Sequence, residues 1–162
     1  MRFDYCPKCG ARTVLRTIGD EGEIPYCDVC KRPWFDMFST CVLSVVVNEY
    51  DEVLLIRQSY GDTERYVGVA GFMKVGETPE EAAEREVLEE TGLKAQSIRY
   101  TDSAFYEGRD QLMLGMLVRV KKAECNISGE LLEARWFGMD EAVKTVREGS
   151  IIQRFIKAVR EK

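Results

Sequence analysis

Four carboxylates crowd one short stretch, EREVLEETGL, and three of them, Glu86, Glu89 and Glu90, fall on one side of a single helical turn. On a helix, residues three and four apart are neighbours, and like charges at those spacings repel by roughly 0.2–0.5 kcal/mol per pair. Something must offset that repulsion if the three share one face. The competing reading of three glutamates alone is a solvated acidic face.

A second group of residues points to a metal. Cys6 and Cys9, and Cys27 and Cys30, form two Cys-x-x-Cys pairs separated by 17 residues. That spacing fits a four-cysteine zinc site. Each pair lets two thiolates converge on one ion at about 2.3 Å, and a closed set of four leaves no open coordination position. Zinc here is expected to be structural. A disulfide framework or a pair of redox motifs is the alternative, disfavoured by the Gly-, Pro- and charge-rich setting and by the cytosolic character of the chain. Cys41 opens the apolar run CVLSVVV and reads as a buried structural thiol, whereas Cys125 lies in a polar stretch.

The whole chain bounds these readings. Its 162 residues, 45% apolar and 31% charged, suit one soluble globular core and a small appended module. A net charge of −5 gives no footprint for nonspecific nucleic-acid binding. There is no signal-peptide-like run at the start and no segment of membrane-spanning length, so the expected location is cytoplasmic and no membrane partner is expected. Histidine is absent, which leaves acid–base chemistry to carboxylates, Lys, Tyr or Cys.

The elements that must position these groups can be read from local pattern. ARTVLRT and EIPYC predict two short strands around the turn IGDEGE, the hairpin of a zinc ribbon, and KRPWFD is a junction. Residues 41–47 and 52–58 predict a hairpin, 66–72 a short strand, and SIRYTDSAF, QLMLGMLVRV and EARWF three later strands. Two helical pieces close the chain, with Gly149 as a stop and Ser150 as the next N-cap. The glutamates fall on a helix that Thr78 caps, Pro79 begins, Glu81 joins in a capping box and Gly92 ends. Ala83, Val87 and Leu88 are expected to face the core, leaving the glutamates together on another face. Strands on both sides of a central helix predict an α/β domain with a mixed sheet.

From Gly71 the chain reads GFMKVGETPEEAAEREVLEETGL, and Gly71, Glu77, Arg85, Glu86, Val87, Glu89, Glu90, Gly92 and Leu93 fit G-x5-E-x7-R-E-U-x-E-E-x-G-U, U being apolar. This resembles the Nudix box. The resemblance implies a Nudix α/β/α sandwich over residues 38–162, with a zinc ribbon over 1–37. It implies hydrolysis of a nucleoside diphosphate linked to another group, with Mg²⁺ or Mn²⁺ as cofactor and a nucleotide or dinucleotide as substrate. Glu86, Glu89 and Glu90 would be ligands of the catalytic cation, joined by the carbonyl of Ala70, and Arg85 and Glu77 would orient the carboxylates. The preceding ribbon makes the chain similar to the NADH pyrophosphatase branch, with NAD(H), ADP-ribose or FAD as candidate substrates and a homodimer compatible with it. In that branch the segment resembling GELLEARWF contributes a further ligand, here Glu130, with Glu133 as the alternative.

One stretch departs from that branch. Its Ser-Gln-Pro-Trp signature is represented here by Ser103 followed by Ala104, Phe105 and Tyr106. Phe105 and Tyr106 can stack on a base, or serve as strand core and strand-end aromatics. A different class of function also fits the two modules, a nucleotide sensor or nucleic-acid-binding regulator in which the ribbon and the Nudix fold serve recognition alone. The complete glutamate set argues for hydrolysis, because a binding module has no need to tolerate the repulsion.

Overall fold

The computed structural model describes residues 3–160. They fall into two compact units, Met1–Ser39 and Thr40–Lys162. The first holds a three-stranded antiparallel sheet in the order β1 (Val14–Thr17), β2 (Glu23–Cys27), β3 (Arg32–Pro33). Left-handed backbone at Gly19 and Gly22, with φ of 54° and 77°, closes the β1–β2 turn, a conformation glycine adopts without steric cost. β3 corrects the sequence reading: the stretch read as a junction contributes a strand, two residues long and too short to carry a periodic signal. Among the described residues of this unit only Cys6, Pro25 and Cys27 are buried. With so little apolar area removed from water, the unit depends on something other than a hydrophobic core.

The second unit is an α/β/α sandwich. Its sheet runs β7 (Ala95–Tyr106), β8 (Gln111–Val120), β4 (Ser39–Val47), β5 (Glu52–Gln58), β9 (Leu131–Gly138), and β6 (Val69–Phe72) pairs with β4. β4 divides one edge between two partners, pairing with β6 over Cys41–Ser44 and with β5 at Val46 and Val47. Side chains alternate along a strand, and the alternation separates two cores. Val42, Val46, Leu54, Ile56, Met116 and Val118 pack with Ala82, Ala83 and Val87 of α1 (Pro79–Thr91). Leu43, Val45, Val47, Val53, Leu55 and Leu117 pack with Ala142 of α2 (Met139–Thr145) and with Ile152, Phe155 and Ile156 of α3 (Ile151–Arg160). Burial on both faces is why β4 and β5 read as continuous apolar runs.

Local chemistry accounts for both ends of α1. The Thr78 hydroxyl accepts from the Glu81 amide at 3.3 Å and the Glu81 carboxylate accepts from the Thr78 amide at 2.8 Å. Gly92, at φ 72°, donates its N–H to Leu88 O. The buried face differs from expectation, since Leu88 is 45% exposed while Glu90 is only 7% exposed. The three glutamates therefore do not share one solvated face: Glu90 turns inward, Glu86 is half-buried and Glu89 is exposed.

Candidate active site

α1 brings its acidic face to a cleft walled by β6. Gly71 lets the two meet closely, because a Cβ there would lie 2.0 Å from the carboxyl carbon of Glu86. Any side chain at position 71 would push the helix carboxylate away. Arg85 fixes the arrangement from the other side. Its guanidinium donates to Glu77 at 2.6 and 2.9 Å, to Glu89 at 3.3 Å, to the Phe72 carbonyl at 3.0 Å, and to Glu86. Glu77 also accepts from the Lys74 amide at 2.8 Å. The Arg85 hydrogen bonds and the Lys74 N–H hold the Glu77 carboxyl down to about 2. Arg85 is thus a tie between the loop before α1 and two of the three helix glutamates.

Glu90 is set apart by its surroundings. Its Oε2 is buried and has no hydrogen-bond partner. Burial pushes its carboxyl up to about 8, and the charges of Glu86, Glu130 and Glu89 add to the rise. A buried carboxylate without a partner is costly, and a cation at the same position removes the cost. The backbone around Glu90 explains how Glu130 arrives beside it. The Ser128 amide donates to Glu90 O at 3.0 Å, the Asn126 amide to Thr91 O at 2.9 Å, and the Ser59 amide to Glu130 O at 2.8 Å. These bonds zip the loop before β9 onto the end of α1 and onto the end of β5.

Glu86, Glu89, Glu90, Glu130 and Ala70 line one cavity of about 950 Å³, at the upper end of the size of small-molecule sites. Phe105 and Tyr106 line it too. Glu133 instead pairs with Arg57 at 2.9 Å, and Glu77 acts through Arg85. Several residues of the cavity went unread in the sequence: Tyr60, Arg109, Gln111 and Arg147 all line it. They come from strand ends, turns and loops that only the folded sheet gathers, and only Gln111 left a trace, a polar residue heading the apolar run QLMLGMLV. Cys41, read as a structural thiol, is buried and also lines the cavity. The donor set of four carboxylates, with one buried oxygen unpartnered, fits a hard divalent cation.

The four ribbon cysteines meet as their spacing predicts. Their Sγ atoms all lie within 4.8 Å of one another, with Cys6 to Cys30 at 3.8 Å and Cys9 to Cys27 at 3.6 Å, and none is in a disulfide. A tetrahedral zinc with bonds of about 2.3 Å requires sulfur–sulfur edges near 3.8 Å. The Cys30 amide points at Cys27 Sγ at 3.3 Å, so the backbone also faces the sulfur. Burial works against a Cys6 thiolate, but the N–H groups of Cys9 and Lys8 outweigh it and bring that thiol down to about 6. The neighbouring Cys9 side chain and burial push Cys30 up to about 12. The Cys6 thiolate is favoured while those of Cys9 and Cys30 are suppressed beside it, an arrangement that a bound cation would offset.

An α/β/α sandwich with a carboxylate-lined cleft, in a chain that also carries a four-cysteine cluster, has two donor sets suited to metal ions. The family model described as NUDIX domain matches residues 37–158, and the chain belongs to the Nudix family. Among curated relatives it is 30% identical over 154 residues to the NAD-capped RNA hydrolase NudC of Vibrio parahaemolyticus, covering 94% of this chain and 58% of that one. The NudC of Salmonella heidelberg is 31% identical over 132 residues, 81% of this chain and 51% of that one. The chain therefore spans little more than half the length of these relatives. Among solved structures, a NUDIX hydrolase from Nitrosomonas europaea shares the fold with a TM-score of 0.76 at 22% identity, covering 98% of this chain and 93% of that one. The NUDIX domain of Shewanella oneidensis NrtR, solved with ADP ribose, shares it with a TM-score of 0.67 at 16% identity, covering 84% and 92%. Among the described residues, no helix is long and apolar enough to cross a membrane.

Proposed function

We propose that the chain is a nucleotide pyrophosphatase, hydrolysing with Mg²⁺ or Mn²⁺ the diphosphate of a nucleoside diphosphate linked to another group. NAD(H), ADP-ribose, FAD and the NAD cap of an RNA are the candidate substrates, the last from the names of the relatives. The observation that carries the reading is Glu90, a buried carboxylate with an unpartnered oxygen, in one cavity with Glu86, Glu89 and Glu130. When bound, divalent cations neutralise a substrate diphosphate and lower the pKa of an attacking water.

The chain's own residues would then divide the work. Glu86, Glu89, Glu90 and Glu130 hold the ions, with the Ala70 carbonyl as a further donor, and Glu86 or a neighbouring carboxylate takes the proton from water, since the chain has no histidine. Arg85, held by Glu77, keeps Glu86 and Glu89 in place while remaining bound to the loop. Phe105 and Tyr106 offer aromatic faces to a base. The four cysteines hold a structural zinc that folds the first unit and takes no part in the reaction. Turnover of a panel of nucleoside diphosphate derivatives with Mg²⁺ or Mn²⁺ tests this reading. Release of two monophosphate products supports it, and an inert protein across the panel contradicts it.

A further inference from the structure

Gln111 is an anomaly in the wall of the cavity. It is only 8% exposed, at the head of a strand that otherwise carries apolar side chains inward. Unlike Gln58, whose amide donates to Tyr60 at 3.0 Å, it has no side-chain hydrogen bond among the described residues. An amide taken from water without a partner costs free energy. Its polar atoms are nonetheless not among those wholly sealed from solvent without a partner. Gln111 also lines the cavity.

The strand register shows what stands beside it. Residues directly opposite in an antiparallel pair share a face of the sheet. Tyr106 is opposite Gln111 and Ala104 is opposite Met113, whereas Phe105 is opposite Leu112, a residue that does not line the cavity. Tyr106, Gln111 and Met113 therefore present one surface to the cavity: a ring that is 45% exposed, an unpartnered amide and an apolar floor. Phe105 belongs to the opposite face of the pleat and reaches the cavity only from its rim.

We propose that Tyr106 and Gln111 form a seat for an adenine base, with the ring stacking on the base and the amide reading its edge. A glutamine amide presents a donor beside an acceptor, which matches the N6 amino group and N7 of adenine bidentately. This rests on the pyrophosphatase reading and assigns the end of the cavity that would hold the adenine of such substrates.

The test uses equilibrium binding to the 162-residue chain purified under reducing conditions, with Mg²⁺ present. AMP, which has no diphosphate to hydrolyse, is compared with purine riboside 5′-monophosphate, which lacks only the 6-amino group. Wild type should bind AMP more tightly by about 5-fold to 150-fold, the worth of one bidentate base contact. Gln111→Met should bring the two affinities together, and Tyr106→Ala should weaken both by a similar factor. Equal affinities in the wild type, a comparison that needs no variant, would overturn the proposal. So would a preference for AMP that survives in Gln111→Met. Because binding is measured without turnover, a protein that reads adenine but hydrolyses nothing leaves this seat standing and removes the pyrophosphatase reading alone.

Discussion

Glu90→Gln is the substitution whose consequences are best determined by the structure. It keeps the shape of a side chain that is 7% exposed and removes a charge that no protein group satisfies. Without added divalent ion, the folded carboxyl titrates at about 8 and an unfolded glutamate at about 4.3. The folded state thus keeps its proton to higher pH. The contribution to stability is complete below the unfolded value and is lost as pH rises through the folded one. Between about pH 5 and about pH 8, linkage removes on the order of 3 kcal/mol from the stability of the metal-free sandwich. Glu90→Gln has no such proton to lose, so its stability should change less over this range by about that amount. Mg²⁺ at about 100 times its dissociation constant should return roughly 2.7 kcal/mol to the wild type, and much less to the variant. Urea unfolding followed through Trp136, which packs on the core of the sandwich, in a Trp34→Phe background, measures both effects. Parallel pH profiles for the two proteins, or equal stabilisation by Mg²⁺, would refute the reasoning.

Other predictions follow from the same geometry. Glu89→Gln alters an exposed side chain, so it should leave stability within about 0.5 kcal/mol of wild type while removing most turnover at limiting Mg²⁺; wild-type rates would contradict its role as a ligand. Glu130→Gln should also lower turnover, whereas Glu133→Gln should disturb only the contact with Arg57 and leave the Mg²⁺ dependence of the rate unchanged. Metal analysis of protein purified under reducing conditions should find one zinc per chain, lost in Cys9→Ser, and stripping it should unfold the first unit before the Trp136 signal changes; a zinc-free protein with two disulfides would oppose this. Tyr106→Ala should raise KM for adenine-containing substrates by about 5-fold to 150-fold, the worth of one stacked base, and Phe105→Ala by less; the reverse order would return the stacking role to Phe105.

The parts of the site that were legible in the sequence are those governed by neighbours along the chain. Thr78, Pro79, Glu81 and Gly92 set the limits of α1 through local hydrogen bonds and backbone preference, so the helix lies where its caps put it. The cysteine pairs likewise announce their own convergence. What the sequence left open depends on the sheet. Leu88 and Glu90 exchange their expected places because the direction in which β4 and β6 meet α1 decides which side of the helix is inside. Phe105 and Tyr106 are adjacent in the chain, but the pleat sends them to opposite faces, and only the pairing of Tyr106 with Gln111 joins an aromatic ring to a buried amide. Glu130 could be preferred to Glu133 from resemblance alone, yet the reason it faces the cavity is the run of backbone hydrogen bonds from Ser128 and Asn126 to the end of α1.

The central claim is that this carboxylate cluster directs water at a phosphorus atom of a diphosphate. Hydrolysis of ADP-ribose in ¹⁸O-labelled water with Mg²⁺, followed by mass analysis of the products, tests it most directly. AMP and ribose 5-phosphate are expected, with one labelled oxygen on the phosphate of one product and none on the other, and turnover should be lost in Glu90→Gln. Cleavage at any bond other than the diphosphate, or undiminished hydrolysis by Glu90→Gln, would contradict it.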